Sequence, residues 1–302
     1  MEYDLRSRHM RILCIGDSNT WGYNPENGWR HENRWTKVLQ KLMPENEIVE
    51  EGMNGRTLLS VDSFMKERCG ISGLKILLMS HKPVDVVVVM LGTNELKTSF
   101  ECTAEYVAKG IEEFIKVIKD KEMWDRFPMP KLLVVSPVLI CENLLVNGDV
   151  FGGFDEKSVI ESGRMAEKIE EVCAKYSVDF MNAADYAKAS PIDNIHIDEE
   201  NHGKLAVAIN EKLRCIILQD TIERVGLMEQ YFDDVKKLVK EEPATYKVNA
   251  EFQEKMQILS QYYEGGQWLK DYECDERGEL PQDLKRGILS QDGFYNFLTK
   301  NE

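Results

Sequence analysis

The sequence predicts an α/β protein: a three-layer α/β/α sandwich on a five-stranded parallel sheet, followed by a small, mostly helical C-terminal domain. Three observations carry that expectation. Short runs rich in Val and Ile alternate with longer amphipathic stretches from Arg11 to about residue 218. Two of those runs, VDVVVVML (84–91) and KLLVVSPV (131–138), are apolar on both faces, as central strands covered by helices on each side must be. Beyond residue 220 the β-rich runs stop and helical spacing takes over.

Taken in order, residues 1–10 open with the polar, aperiodic MEYDLRSRH and read as a leader ahead of the fold. RILCI (11–15) is the first strand, EIVEEG (47–52) the second, 84–91 the third, 131–138 the fourth and VDFMN (178–182) the fifth. Between the third and fourth, Val107, Gly110, Ile111, Phe114, Ile115 and Ile118 fall on one helical face, and segments 157–176 and 200–218 carry similar faces. Right-handed crossovers then suit a flavodoxin-like strand order 2-1-3-4-5, with functional residues beyond the carboxyl ends of the strands. Residues 11–218 form the first domain and 219–302 the second. In the second, Leu227, Tyr231, Val235 and Leu238, then Phe252, Met256, Leu259 and Tyr263, have helical spacing before Gly265-Gly266 breaks the pattern.

Composition narrows the function classes. Hydrophobic residues make up 43% of 302, enough for a sizeable core. Lys and Arg total 38 against 53 Asp and Glu, a net charge of −15, which argues against nucleic acid and against an anionic membrane surface as partners. No apolar run reaches the roughly 18 residues of a spanning helix, and no secretory signal pattern opens the chain. The seven cysteines are scattered and never form C-x-x-C, which fits a reducing, cytoplasmic compartment and no zinc site.

Four segments could carry chemistry. Gly16-Asp17-Ser18-Asn19-Thr20-Trp21-Gly22 follows the first strand, so a tight turn can expose the Ser18 hydroxyl; the plainer alternative is that Ser18 caps the next helix. Neither phosphate-loop pattern is present. Asp193-Asn194-Ile195-His196 follows the fifth strand, and an Asp three residues before a His can fold back onto its Nδ1; a loop that merely caps the next helix is the alternative. Gly92-Thr93-Asn94-Glu95 can aim the Asn94 amide into the crevice, or Asn94 can simply form a turn. Gly52-Met53-Asn54-Gly55-Arg56-Thr57 can present the Gly55 N–H to an oxyanion, or Gly55 can supply positive φ. His31, His81 and His202 read as structural, and no spacing suggests a metal or cofactor. In a 2-1-3-4-5 sheet all four segments meet around the switch point.

The ordered blocks GDSNTWG, GMNGRT, GTNE and DNIHIDEENH resemble the SGNH hydrolases, or GDSL esterase–lipase superfamily, over roughly residues 11–218. DVVVVMLGTNELK, Arg34-Trp35 and VVSPV are most similar to the branch of arylesterases, acyltransferases and carbohydrate acetylesterases. The resemblance implies Ser18 as nucleophile, His196 as general base, Asp193 as its orienting acid, and Ser18 N–H, Gly55 N–H and Asn94 as an oxyanion hole. It further implies a small-molecule ester, acetyl above all, of a sugar or aryl alcohol. Trp21, close after Ser18, is expected to line the substrate site with Asn54 and Thr93 or else to be a core aromatic, and the irregular, Gly-containing segment 139–155 can cover the site. Acyltransferring members have Ser-Ala where this chain has Asn54-Gly55, and Glu95 stands where Asp is usual. The alternative is a non-catalytic binding protein of the same fold that recruits a partner through its C-terminal domain. Residues 219–302 are similar to a small bacterial domain of unknown function, through WLKDYECDERGELPQDLKRGILSQDGFYN. That domain is expected to be dispensable for chemistry, to serve homo-oligomer or partner contacts through Trp268, Tyr272, Phe294, Tyr295 and Phe297 unless these aromatics build its own small core, and to carry Asp271, Glu273, Asp275, Glu276 and Glu279 as a solvated acidic face.

Overall fold

The structure is a computed structural model that describes residues 9–147 and 153–301. Residues 1–8 of the expected leader and 148–152 of the 139–155 insertion therefore lie outside the described residues. The chain divides into two compact units that meet in sequence at Leu213 and Arg214.

The first unit is built on five strands: β1 (Arg11–Gly16), β2 (Glu47–Gly52), β3 (Val86–Met90), β4 (Lys131–Ser136) and β5 (Asp179–Asn182). All pairs are parallel and the order is β2-β1-β3-β4-β5. Every residue of β3 is buried, as its unbroken Val run requires of a central strand. The fourth strand stops at Ser136, short of the expected 138, because Pro137 has no N–H to give the ladder. Crossovers are made by α1 (Ser18–Trp21) and α2 (Trp35–Leu42), α3 (Gly70–His81), α4 (Ala104–Ile118) and α5 (Lys121–Trp124), and α6 (Leu144–Asn147) and α7 (Glu156–Lys175). The six residues expected on one face of α4 are all buried there, against a core that includes Leu13, Val87, Val89 and Val134.

Register fixes where the loops meet. Gly16 at the end of β1 pairs with Gly52 of β2 on one side and Met90 of β3 on the other. The three strands thus end level, and the loops that follow open onto one rim. A Cβ on Gly16 would stand 2.0 Å from Thr20 Oγ1 and 2.9 Å from the Met90 carbonyl, so only glycine lets the chain turn this tightly into α1.

The helix expected over 200–218 is instead α8 (Glu199–Glu241), which runs on because no residue after 218 breaks its hydrogen-bond ladder. In the second unit α8 is followed by α9 (Ala250–Glu264), α10 (Gln267–Glu276) and α11 (Gln291–Asn301), around a core of Val225, Phe232, Leu259, Trp268, Ile288 and Phe294. Asp271 departs from the acidic face expected around it. Asp271 is 1% exposed, holding Arg224 through both carboxylate oxygens (2.6 and 2.9 Å) and accepting from Tyr262 (2.8 Å), while Asp275 pairs with Arg286 and Glu279 with Arg277. Glu273, Glu276 and Glu279 are exposed as expected of a solvated face, while Asp271 is withdrawn from it into the unit's interior. Of the five aromatics expected at a contact surface, Trp268 and Phe294 are buried in the unit's own core, Phe297 and Tyr272 pack partly against it, and Tyr295 is exposed.

Candidate functional site

The loop after β1 positions the serine. Asp17 is the N-cap of α1, its carboxylate accepting the Asn19 N–H at 2.9 Å, so Ser18 is the first helical residue and not the cap. This overturns the capping alternative and leaves the Ser18 N–H free of any acceptor among the described residues. The Ser18 hydroxyl meets His196 Nε2 at 2.8 Å. On the far side of the ring, Nδ1 meets Asp193 Oδ2 at 2.6 Å.

The Asp193–His196 loop folds back on itself, as the three-residue spacing predicts. Asp193 Oδ1 accepts the N–H groups of Ile195 (3.0 Å) and His196 (2.9 Å), which leaves Oδ2 for the ring. Burial works against the Asp193 charge. The His196 ring bond, the His196 charge and the two backbone donors outweigh it and hold the carboxyl below its ordinary range. Asp193 therefore orients the ring and does not cap α8, whose first turn is tied instead by Asp198 to Asn201 N–H at 2.9 Å.

The loops after β2 and β3 supply the remaining groups. Gly55 has the positive φ of +79 that one reading expects, and its N–H has no acceptor among the described residues. Asn94 Nδ2 donates to the Arg56 carbonyl (3.1 Å) and to Asp17 Oδ2 (3.3 Å), which ties the third block to the first two. Burial raises the Asp17 carboxyl above its ordinary value, against the opposing pull of the Asn19 N–H and the His196, Lys97 and Arg56 charges. Glu95 is fully buried and accepts the Leu58, Leu59 and Ser60 N–H groups on one oxygen, clamping the segment after Gly55. Burial pushes its carboxyl up to about 7 despite those donors.

Of the expected substrate residues, Thr93 is buried with its hydroxyl unpartnered among the described residues, and the Asn54 side-chain oxygen is likewise buried and unpartnered. Trp21 is half-buried, with the Arg30 guanidinium 5.3 Å from its ring centre, and stands outside the core. A cavity of about 510 Å³, lined by Ser60, Val61, Phe100, Cys102, Thr103 and Tyr106, includes none of Ser18, Gly55, Asn94, Asp193 and His196. His202 is fully buried and accepts the Trp35 N–H at 3.2 Å, and its ring lies edge-on to His31, as structural histidines. His81 meets Glu51 at 2.7 Å. Among the described residues no group of three His, Cys, Asp or Glu side chains is placed to hold a metal ion.

Two contacts escaped the sequence reading. Asn19 accepts the Ile197 N–H (3.0 Å) and donates to the Ile195 carbonyl (3.4 Å), tying the Ser18 turn directly to the His196 loop. The Tyr23 ring lies 4.5 Å from the His196 ring. Asn19 sits inside the first block, and its position there was the available signal. Tyr23 carried none.

The fold is a doubly wound α/β sandwich in which Ser18, His196 and Asp193 form one hydrogen-bonded row beyond the strand ends. The chain belongs to the GDSL-like lipase/acylhydrolase family, whose model matches residues 14–202. Residues 225–302 match a domain of unknown function, DUF4298. Among solved structures it is similar to a carbohydrate acetylesterase family member from Sinorhizobium meliloti, at 32% identity over 68% of this chain and 98% of that one, with a TM-score of 0.64. It is similar to an aryl esterase from M. smegmatis at 32% identity over 68% of this chain and 99% of that one, TM-score 0.64. Est24, a carbohydrate acetylesterase from Sinorhizobium meliloti, aligns at 29% identity over 68% and 99%, TM-score 0.64. No protein of curated function matches the chain. No helix among the described residues is long and apolar enough to cross a membrane.

Proposed function

We propose that the protein is a serine esterase acting on small acyl esters, acetyl above all, of sugar or aryl alcohols. The observation that carries this reading is the unbroken row Ser18 Oγ, His196 Nε2, His196 Nδ1, Asp193 Oδ2, with separations of 2.8 and 2.6 Å across the ring. With Asp193 accepting at Nδ1, that nitrogen carries the ring proton and Nε2 presents its lone pair to the Ser18 hydroxyl. Ser18 Oγ attacks the ester carbonyl as its proton passes to Nε2, forming the new C–O bond and an oxyanion. The free N–H groups of Ser18 and Gly55 receive that oxyanion with Asn94 Nδ2, which gives up its longer bond to Asp17. Return of the proton from Nε2 to the leaving oxygen breaks the old C–O bond and leaves acyl-Ser18. Water, giving its proton to the same nitrogen, then attacks the acyl carbon, and return of that proton to Ser18 Oγ breaks the acyl–Oγ bond and releases the acid.

The substrate class leans on the carbohydrate acetylesterase and aryl esterase relatives. A cytoplasmic setting fits seven cysteines that are all free thiols. Hydrolysis of p-nitrophenyl acetate by purified protein, with Ser18→Ala as control, tests the reading. Turnover that disappears in a folded Ser18→Ala variant supports it, and turnover near wild type in that variant refutes it.

A further inference from the structure

Positive charge gathers beside the Gly55–Asn94 rim although the chain as a whole carries −15. Lys97 follows Asn94 by one turn, its N–H bonded to the Asn94 carbonyl at 3.4 Å. Its ammonium is half-buried, yet among the described residues it has neither an ion-pair nor a hydrogen-bond partner. The charges that act on it are those of Arg68, Asp62, Asp17 and Glu95. Arg68 lies against Gly55, where a Cβ would stand 2.6 Å from its Nε. That Nε is buried and unpartnered among the described residues, while Nη1 holds Asp62 at 2.6 Å.

The carboxylates near Lys97 are already engaged. Asp62 belongs to Arg68. Glu95 takes three backbone N–H groups, and Asp17 takes Asn19 and Asn94. Burial disfavours the charge of both Glu95 and Asp17, which weakens their hold on Lys97 further. Desolvation likewise lowers the Lys97 pKa. An ammonium partly withdrawn from water with no anion beside it is costly, and a ligand anion would offset that cost through charge-assisted hydrogen bonds. In a chain of net charge −15, a local positive rim is where an anion would be drawn.

We propose that Lys97, with the Arg68 Nε–H behind it, receives an anionic group, a carboxylate or phosphate, carried by the ester, so that the site prefers negatively charged esters to neutral ones of the same shape. This specificity rests on the esterase reading of Ser18 and His196.

Two matched pairs locate the charge. 4-Acetoxybenzoate against its methyl ester places it on the alcohol, and the mono-p-nitrophenyl ester of adipic acid against p-nitrophenyl hexanoate places it on the acyl chain. In at least one pair the wild-type kcat/KM for the anion should exceed the neutral value by about tenfold or more, a modest return for one charge-assisted contact. Lys97→Met should collapse that ratio to within about threefold, and rising salt should shrink it in the wild type. Independently of any variant, benzoate should inhibit neutral-ester hydrolysis competitively while benzamide does not. Ratios near one in both wild-type pairs, or a ratio that survives Lys97→Met, would overturn the inference alone. A wild-type protein inert toward p-nitrophenyl acetate would overturn the esterase reading and this inference with it.

Discussion

Replacing Asp193 with Asn changes one atom type and should disable the site through the tautomer of His196. The N–H groups of Ile195 and His196 both point at Oδ1, at 3.0 and 2.9 Å, so that position tolerates only an acceptor. The new amide must therefore put its oxygen there and its NH2 where Oδ2 stood, 2.6 Å from Nδ1. An NH2 donates, so Nδ1 must accept and the ring proton moves to Nε2, facing Ser18 Oγ at 2.8 Å with nothing to take its proton. The flipped amide would restore the tautomer only by setting donor against donor at two buried backbone groups, costing roughly 1–3 kcal/mol each. Wrong-tautomer enzymes of this chemistry lose about 10⁴ in kcat, or about 5–6 kcal/mol of transition-state stabilisation. The expected result for Asp193→Asn is a loss of that order in p-nitrophenyl acetate turnover, with far- and near-UV circular dichroism like the wild type. A folded variant within tenfold of wild type would refute the reasoning.

The remaining predictions concern the oxyanion donor, the loop tether and acid stability. Asn94→Ala should lower kcat by about 10²–10³ with a smaller change in KM, read from initial rates; a pure KM effect would make Asn94 a binding residue instead. Asn19→Ala leaves the buried Ile197 N–H and Ile195 carbonyl unpaired, so denaturant titration should show a loss of about 1–3 kcal/mol, with a fall in kcat as the His196 loop loosens. Burial, helped by the charges of His31, Arg34 and His196, lowers the His202 pKa from 6.5 to about 3, so the unfolded chain binds this proton first as pH falls. Its contribution is complete above about 6.5 and is lost toward 3, on the order of 5 kcal/mol at most, and thermal melts of His202→Gln should show a shallower acid limb than the wild type.

Much of this site is legible in the sequence because its parts sit at strand ends that β-rich runs make conspicuous. The Val run of 86–89 and the strand ending at Gly16 fix where the Ser18 and Asn94 blocks must lie. The Asp193–His196 fold-back is local, three residues apart, and so visible as spacing. What escaped notice depends on partners distant in sequence. Asn19 reaches Ile197 across 178 residues, and Tyr23 against His196 comes from an irregular polar loop without periodicity. Asp271 looked solvated among its acidic neighbours because its partner Arg224 stands 47 residues away on another helix. The continuation of α8 past residue 218 was missed because a helix with no breaker gives no stop signal, and a change in composition there is not a change in backbone.

The most direct test of the account is to trap the covalent intermediate. Protein mixed rapidly with p-nitrophenyl acetate, quenched in acid and digested, should yield a Ser18-containing peptide heavier by one acetyl group, absent from Ser18→Ala protein and formed with a burst of p-nitrophenol equal to the enzyme present. Rapid hydrolysis with no acetyl on Ser18 at any quench time, or an acetyl mapped to another residue, would contradict the central claim.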